Sequence, residues 1–377
     1  MRLVATRRIE PGAILARDVT VGSSGRALLR AGVPLSARYR QALLDNGFNA
    51  VYVQDEFSEG IEVTPALSER TRVQAAESLT RAFATVPAAS QARQGLPAAA
   101  IIELENIANL IASEISEHGE SVIALSDLAA ADSYTLQHCI DVCAVGLMIA
   151  KRLFEEKGRV DYRGNRVYDK LEHWLAKLGV GLMLHDIGKV AIPDEVLNKP
   201  GRLDDEEMAV VRTHPVVGVG LLSSDAVSPL VKAVVRSHHE RWDGGGYPNG
   251  LSGTDIPHFA RIAAVADVFD AVTSERPYHP AAPQHVGHSV INRNGGTQFD
   301  VEVVEYFNKV VAPYPPGDEI VLADGRTAVV VSCPHPDLGR PLVRVGYAAD
   351  GTRVEPEEID LLEHGELLPV SAVPVAA

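Results

Sequence analysis

Apolar positions recur at two different periods along this chain, and the change of period divides it. From about Ser121 to Val311 the spacing is helical almost throughout. Tyr134, His138, Asp141/Val142, Val145 and Ile149 follow one another at three- and four-residue intervals, and Pro229 to His239 and Phe259 to Thr273 repeat the pattern. After Pro313-Tyr314-Pro315-Pro316-Gly317 the runs become short and β-rich: Ile320 to Leu322, Ala328 to Ser332 and Leu342 to Val345. Turn signals such as Ala323-Asp324-Gly325 separate them, and Ala349-Asp350-Gly351 follows. The Pro-, Val- and Ala-rich tail after Leu368 is expected to fray.

The first sixty residues read as a small α+β module punctuated by Pro11-Gly12, Gly22 and Gly32. Ser36 is placed to cap a helix over Ala37 to Asp45 that stops at Asn46-Gly47, before a strand over Ala50 to Val53. Thr64-Pro65 then opens a stretch rich in Ala, Glu and Arg, with Thr as cap and Pro at the first helical position. Pro87 and Gly95-Leu96-Pro97 divide that stretch into two expected helices. The expected organisation is an N-terminal α+β module over residues 1–62, a helical connector over 63–120, a helical domain over 121–312, and a small β appendage and tail over 313–377. The class is mainly α, without an internal repeat.

Composition narrows the function. The 377 residues suit two or three domains, and 46% apolar content leaves ample material for cores. The formal charge of −15 argues against binding a nucleic-acid polymer by general electrostatics. A small anionic substrate stays open, because a few cations or metal ions can reverse the field inside one cleft. The N-terminus has no apolar targeting core and no run approaches a membrane span of roughly 18 residues, so a cytoplasmic protein is expected. Cys139, Cys143 and Cys333 make no disulfide framework.

Histidine departs from this ordinary profile. Seven of the 13 lie between His138 and His258, and the strongest local signal is Leu184-His185-Asp186-Ile187-Gly188-Lys189. Neighbouring His and Asp point about 100° apart on a helix, so both reach one ion only near a helix end or with help from other segments. His138, His214, the pair His238-His239 and Asp267 can give that help from expected helices or helix ends. Imidazoles mixed with carboxylates suit Fe, Mn, Zn or Ni over Ca or Mg. Two ions about 3.5–4 Å apart, bridged by a carboxylate and a hydroxide, would use all seven ligands. Cys139 and Cys143 beside His138 read as small buried core residues, and His173, His258 and His288 as structural or surface histidines.

The run His185-Asp186-Ile187-Gly188-Lys189-Val190-Ala191-Ile192-Pro193, with Leu197-Asn198-Lys199-Pro200-Gly201 and Thr213-His214-Pro215, resembles the HD-GYP family. So does His238-His239-Glu240-Arg241-Trp242-Asp243-Gly244-Gly245-Gly246-Tyr247-Pro248, which contains the Gly-Tyr-Pro of the family's name. Ala266-Asp267-Val268-Phe269-Asp270-Ala271, Arg276-Pro277-Tyr278 and Gly296-Thr297-Gln298-Phe299-Asp300 complete the series in the family's order, over roughly residues 121–312. The resemblance implies an all-α HD phosphohydrolase fold that opens cyclic di-GMP to linear pGpG, in some members cutting on to GMP. It implies that His138, His185, Asp186 and Asp267 hold one metal ion and Asp186, His214, His238 and His239 the second, with iron or manganese expected.

Within that frame, Lys189 lies four residues after His185, on the same helical face, and is expected to reach the scissile phosphate or its leaving group. Arg276 is expected to grip the second phosphate or a guanine edge with its planar fork. Asp270, one turn after Asp267, is weighed evenly between touching substrate and orienting a ligand. A stacking or loop-positioning role for Tyr247 rests on the resemblance alone. Two positions depart from the family. Tyr134 stands where some members carry a Glu for a third metal, so two ions are expected here, and His279 stands where Lys or Arg is common. The competing functions are a non-catalytic signalling module and a hydrolase of another cyclic dinucleotide; the complete ligand set and Lys189 favour the cyclic di-GMP enzyme. A regulatory role, a homodimer contact or signalling partners are expected of the N-terminal module.

Overall fold

The computed structural model describes residues 1–21, 26–91, 95–117, 134–222, 225–274, 281–334 and 336–372. At the N-terminus β1 (Arg2–Ala5) and β2 (Ile14–Leu15) flank a central strand, and β3 (Val19–Val21) pairs with β4 (Arg26–Leu29). Helix α1 (Ala37–Asp45) has the predicted ends: Ser36 Oγ accepts from the Tyr39 N–H and Asn46 closes it. The central strand is β5 (Ala50–Gln54), giving the order β1-β5-β2. Strand alternation sends Val4, Val51 and Val53 into a core with Leu15, Leu35, Leu43 and Phe48. Leu3, Ala50 and Tyr52 face the other way, onto Ile61, Val63 and Val329.

Two helices follow, α2 (Glu69–Gln91) and α3 (Ala98–Glu117). The start at Thr64-Pro65 is not observed. Ser68 precedes α2, and its Oγ accepts from the Thr71 N–H at 3.3 Å. Pro87 does not interrupt α2 either. Ala75, Leu79, Ala82 and Val86 of α2 are buried in the main core, and that packing outweighs one lost backbone bond near the helix end.

The helical domain runs through α4 (Tyr134–Lys157), a hairpin of β6 (Arg159–Val160) and β7 (Arg166–Val167), α5 (Leu171–Met183) and the short α6 (Asp194–Leu197). It continues with α7 (Asp205–Val211), α8 (His214–Leu221), α9 (Pro229–Ser237), α10 (His258–Thr273), α11 (Gln284–Arg293) and α12 (Val301–Val310). Helix α5 buries Leu175, Leu178, Val180, Leu182 and Met183, so it is apolar on nearly every side and packs against α3, α4 and α9 at once. Helix α4 packs on α10 and α12, which brings His138 to the centre. Among the described residues no helix is long and apolar enough to cross a membrane.

The C-terminal sheet contains β8 (Glu319–Leu322), β9 (Thr327–Ser332), β10 (Leu342–Tyr347), β11 (Arg353–Asp360) and β12 (Pro369–Ala372), in the antiparallel order β11-β10-β9-β8-β12. Over residues 369–372 the tail departs from the expected fraying, because they pair with β8 and Ala372 is buried; residues 373–377 lie outside the described residues. A proline at the first position of an edge strand takes no donor from the ladder's interior. Strand β11 lacks an apolar alternation because it is a largely exposed edge. The sheet also meets the N-terminal module. Arg2 bonds both Asp55 and Glu319, Leu3 N–H donates to the Gly317 carbonyl, and Arg344 donates to the Phe57 and Glu59 carbonyls.

Candidate metal centre

His138 lies on α4, His214 opens α8, His238 caps the C-terminal end of α9 with His239 just beyond, and Asp267 and Asp270 lie on α10. His185 and Asp186 correct one expectation. Helix α5 stops at Met183, and Ile187–Ala191 forms a 3-10 turn, so Lys189 does not share an α-helical face with His185. The cause is the crossing of this turn with α8. A Cβ on Gly188 would lie 2.0 Å from the His214 carbonyl oxygen and 2.7 Å from the Gly218 nitrogen, an approach that only glycine permits. Residues three apart eclipse in a 3-10 turn, and Lys189 Nζ accordingly sits 2.5 Å from Asp186 Oδ2.

The seven candidate ligands converge. His138 Nε2 is 3.2 Å from Asp267 Oδ1 and 3.6 Å from Asp186 Oδ2; His185 Nε2 is 3.4 Å from the same Asp186 oxygen. The other Asp186 oxygen, Oδ1, faces His214 Nε2 at 3.4 Å and His238 Nε2 at 3.9 Å. His239 Nδ1 is 3.8 Å from Asp267 Oδ2. Asp186, His214, His238 and His239 form one group able to hold a cation, and His138, His185 and Asp186 form another.

Hydrogen bonds on the far side of the rings fix what the near side offers. His185 Nδ1–H donates to the Leu182 carbonyl, His214 Nδ1–H to Val211 and His238 Nδ1–H to Val235. A carbonyl can only accept, so Nδ1 carries the proton and Nε2 presents a lone pair. His214 and His238 bring two such lone pairs to 3.2 Å of each other. Neither can donate to the other. A cation that accepts both resolves the contact, so the residues fit a metal.

The electrostatics agree. Burial pushes the His238 imidazole well below its usual range, reinforced by His239 and His185; burial also lowers His214, and takes His239 to about 4. These rings are neutral and ligand-ready at pH 7. Burial acts to raise the Asp186 carboxyl, but Lys189, His185 and His138 together hold it well below the carboxylate range; Asp267 is held down by His138, His185 and His239. Burial likewise opposes charge on His138, yet Asp267 and Asp270 carry it up to about 10.

Asp270 is drawn to His138 rather than to open space. Its Oδ2 lies 2.5 Å from His138 Nδ1 and its Oδ1 accepts from Ser274 Oγ at 2.7 Å. Tyr247 stacks on His239 with centroids 4.7 Å apart. Arg276, His279 and the side chain of Tyr134 lie outside the described residues. Cys139 and Cys143 are fully buried, and His258 accepts from the Val160 N–H. The sequence reading missed Glu240, which is 2% exposed and accepts from the Asn249 and Leu251 N–H groups, tying down the loop that carries Tyr247. A carboxylate next to a glycine-rich loop was its only signal.

Residues 160–303 match the family model described as the HD domain. The chain is 37% identical over 252 residues to the cyclic di-GMP phosphodiesterase PA4108 of Pseudomonas aeruginosa, covering 66% of this chain and 56% of that protein. It is 47% identical over 124 residues to the cyclic di-GMP phosphodiesterase response regulator RpfG of Xanthomonas campestris, covering 32% of this chain and 33% of the relative. It is 44% identical over 125 residues to the 3'3'-cGAMP-specific phosphodiesterase 2 of Vibrio cholerae, covering 32% and 24%. The chain thus spans about half the length of the first relative and about a third or less of the others. Fold, donor set and sequence make the helical segment an HD domain. Within that class it resembles the HD-GYP family, whose His185-Asp186 and Gly246-Tyr247-Pro248 motifs it carries.

Proposed function

We propose that this chain is a metal-dependent phosphodiesterase that opens cyclic di-GMP to linear pGpG at a two-metal centre. One observation carries the reading: the two oxygens of Asp186 face different imidazole pairs, as a bridging carboxylate must. In this reading His138, His185, Asp186 and Asp267 hold one ion, and Asp186, His214, His238 and His239 hold the other. Iron or manganese suits these nitrogen and oxygen donors. Such ions, when bound, supply Lewis acidity at the phosphate oxygens and water activation at neutral pH.

The chain's own groups do the rest. Lys189, its ammonium held at Asp186 and its pKa raised by that carboxylate against burial, neutralises charge at the leaving oxygen and can deliver a proton to it. Asp270 fixes the tautomer and angle of His138. Tyr247 packs against His239 at the approach to the site, and Arg276 takes the second phosphate or a guanine edge. The N-terminal module, packed on the C-terminal sheet, acts as the regulatory or partner-binding part. The free cysteines Cys139, Cys143 and Cys333 suit a cytoplasmic setting.

Cyclic di-GMP is preferred because the Pseudomonas aeruginosa relative, matched over 66% of this chain, is named for it; the Vibrio cholerae relative makes 3'3'-cGAMP the second reading. The test is anaerobic purification, metal analysis and chromatography of the products of both nucleotides. Two ions per chain and pGpG are expected, with activity abolished by chelation. Undiminished turnover by metal-free protein, or no hydrolysis by fully loaded protein, would sink the reading.

A further inference from the structure

Arg212 closes α7 two residues before His214, and its side chain is exposed. Its guanidinium lies over the Tyr247 ring, 5.5 Å from the centroid. The same ring stacks on His239 and meets His214 edge-on at 6.5 Å. One aromatic ring therefore separates this cation from two of the candidate metal ligands. Neighbouring arginines are committed elsewhere: Arg241 to Asp243 and Gln298, Arg261 to Asp300, Arg236 to Asn249. Among the described residues no carboxylate pairs with Arg212. In a chain with a formal charge of −15, a guanidinium without a carboxylate partner beside the candidate metal centre is placed to meet a bound anion.

The ring explains how the cation is held. The face of a phenol attracts a guanidinium and limits where it can swing, leaving the N–H fork free to meet phosphate oxygens. A cyclic dinucleotide carries two phosphodiesters, and while one is cut the other remains an anion to be bound. We propose that Arg212 is a substrate-binding residue that grips the phosphodiester that is not being cut, with Tyr247 as the platform that positions it. This rests on the reading of the substrate as a cyclic dinucleotide. It adds a further cation to Lys189 and Arg276, on the His214–His239 side of the site.

The test compares wild-type, Arg212→Ala and Arg212→Lys proteins, each loaded with Mn2+ and checked for metal content. Two substrates are used: cyclic di-GMP, and bis(p-nitrophenyl) phosphate, which has one phosphate only. Losing a charged phosphate contact should raise the KM for cyclic di-GMP roughly ten- to a hundredfold in Arg212→Ala. The loss in kcat/KM on the single-phosphate diester should be at least tenfold smaller, and Lys should recover part of the deficit. The wild-type KM should also rise more steeply with ionic strength than that of the Ala variant. Equal losses on both substrates, or a wild-type KM in Arg212→Ala, would overturn the proposal while leaving the assigned activity standing. Wild-type protein that cleaves the simple diester but no cyclic dinucleotide would overturn the substrate reading, and this proposal with it.

Discussion

Asp270 grips His138 from outside the candidate metal site, and its removal measures what holding one ring is worth. The carboxylate is 4% exposed, with Oδ2 at 2.5 Å from His138 Nδ1 and Oδ1 bonded to Ser274. Asp270→Asn keeps an acceptor of similar shape but removes the charge. A hydrogen bond to a charged group contributes about 1.5–3 kcal/mol and a neutral one about 0.5–1.5, so the loss is about 1 kcal/mol, or roughly fivefold in affinity. Asp270→Ala leaves a buried Nδ1–H without its acceptor at a cost of about 2–3 kcal/mol, or roughly 30- to 150-fold. That range agrees with the usual effect of partners behind a metal ligand. Competition of Mn2+ binding against a chromophoric chelator resolves the steps. Only the step that uses His138 should weaken, in the order Asp, Asn, Ala, while the ion between Asp186, His214, His238 and His239 stays. Both variants binding two ions with wild-type affinity, but with a raised KM for cyclic di-GMP, would make Asp270 a substrate contact and refute the reasoning.

Lys189→Ala should lower turnover of cyclic di-GMP by about ten- to a hundredfold while keeping its metal, because its Nζ touches Asp186 without being a metal donor; parallel loss of metal, read by elemental analysis, would count against this. Gly188→Ala should destabilise the fold by about 3 kcal/mol or more and strip metal together, since its Cβ would meet immovable backbone at His214 and Gly218; a wild-type melting temperature would contradict that crossing. The third concerns His258, whose pKa is taken to about 3 by burial, then by Arg261, Arg166 and Arg159. Unfolded, it titrates near 6.5, so the stability it lends is full above that pH and is lost as pH falls from about 6.5 towards 3, at up to about 1.4 kcal/mol per unit. Denaturant unfolding at pH 7.5 and 5.5 should show a larger drop for wild type than for His258→Asn, which cannot take up the proton; equal drops would argue against it.

The parts of this molecule that were legible in its sequence are those decided by neighbours in the chain. Ser36 and Asn46-Gly47 bound α1 because caps act within one turn. The start of α2 and the continuation past Pro87 were misread because α2 is held by its buried face, against residues the local pattern does not contain. Strand β12 was missed for the same reason, since its partner β8 lies some fifty residues earlier and a four-residue, proline-led segment has little strand character of its own. The candidate site divides the same way. Its donor types and spacings could be read directly, but the division of Asp186 between two imidazole pairs depends on a 3-10 turn where the pattern favoured an α-helix. The even odds on Asp270 followed from spacing along α10, which says nothing of α4, 132 residues away, where its partner stands. Arg212 over Tyr247 joins a helix end to a loop and leaves no periodic trace. Three departures from local preference thus gather within one small volume: the 3-10 turn, the close crossing at Gly188, and buried Glu240 fastening the Tyr247 loop. Each one places an imidazole or its support at the candidate metal centre. Departures from local rules concentrated in this way are what a site imposes on a fold that could otherwise have kept its regular helices.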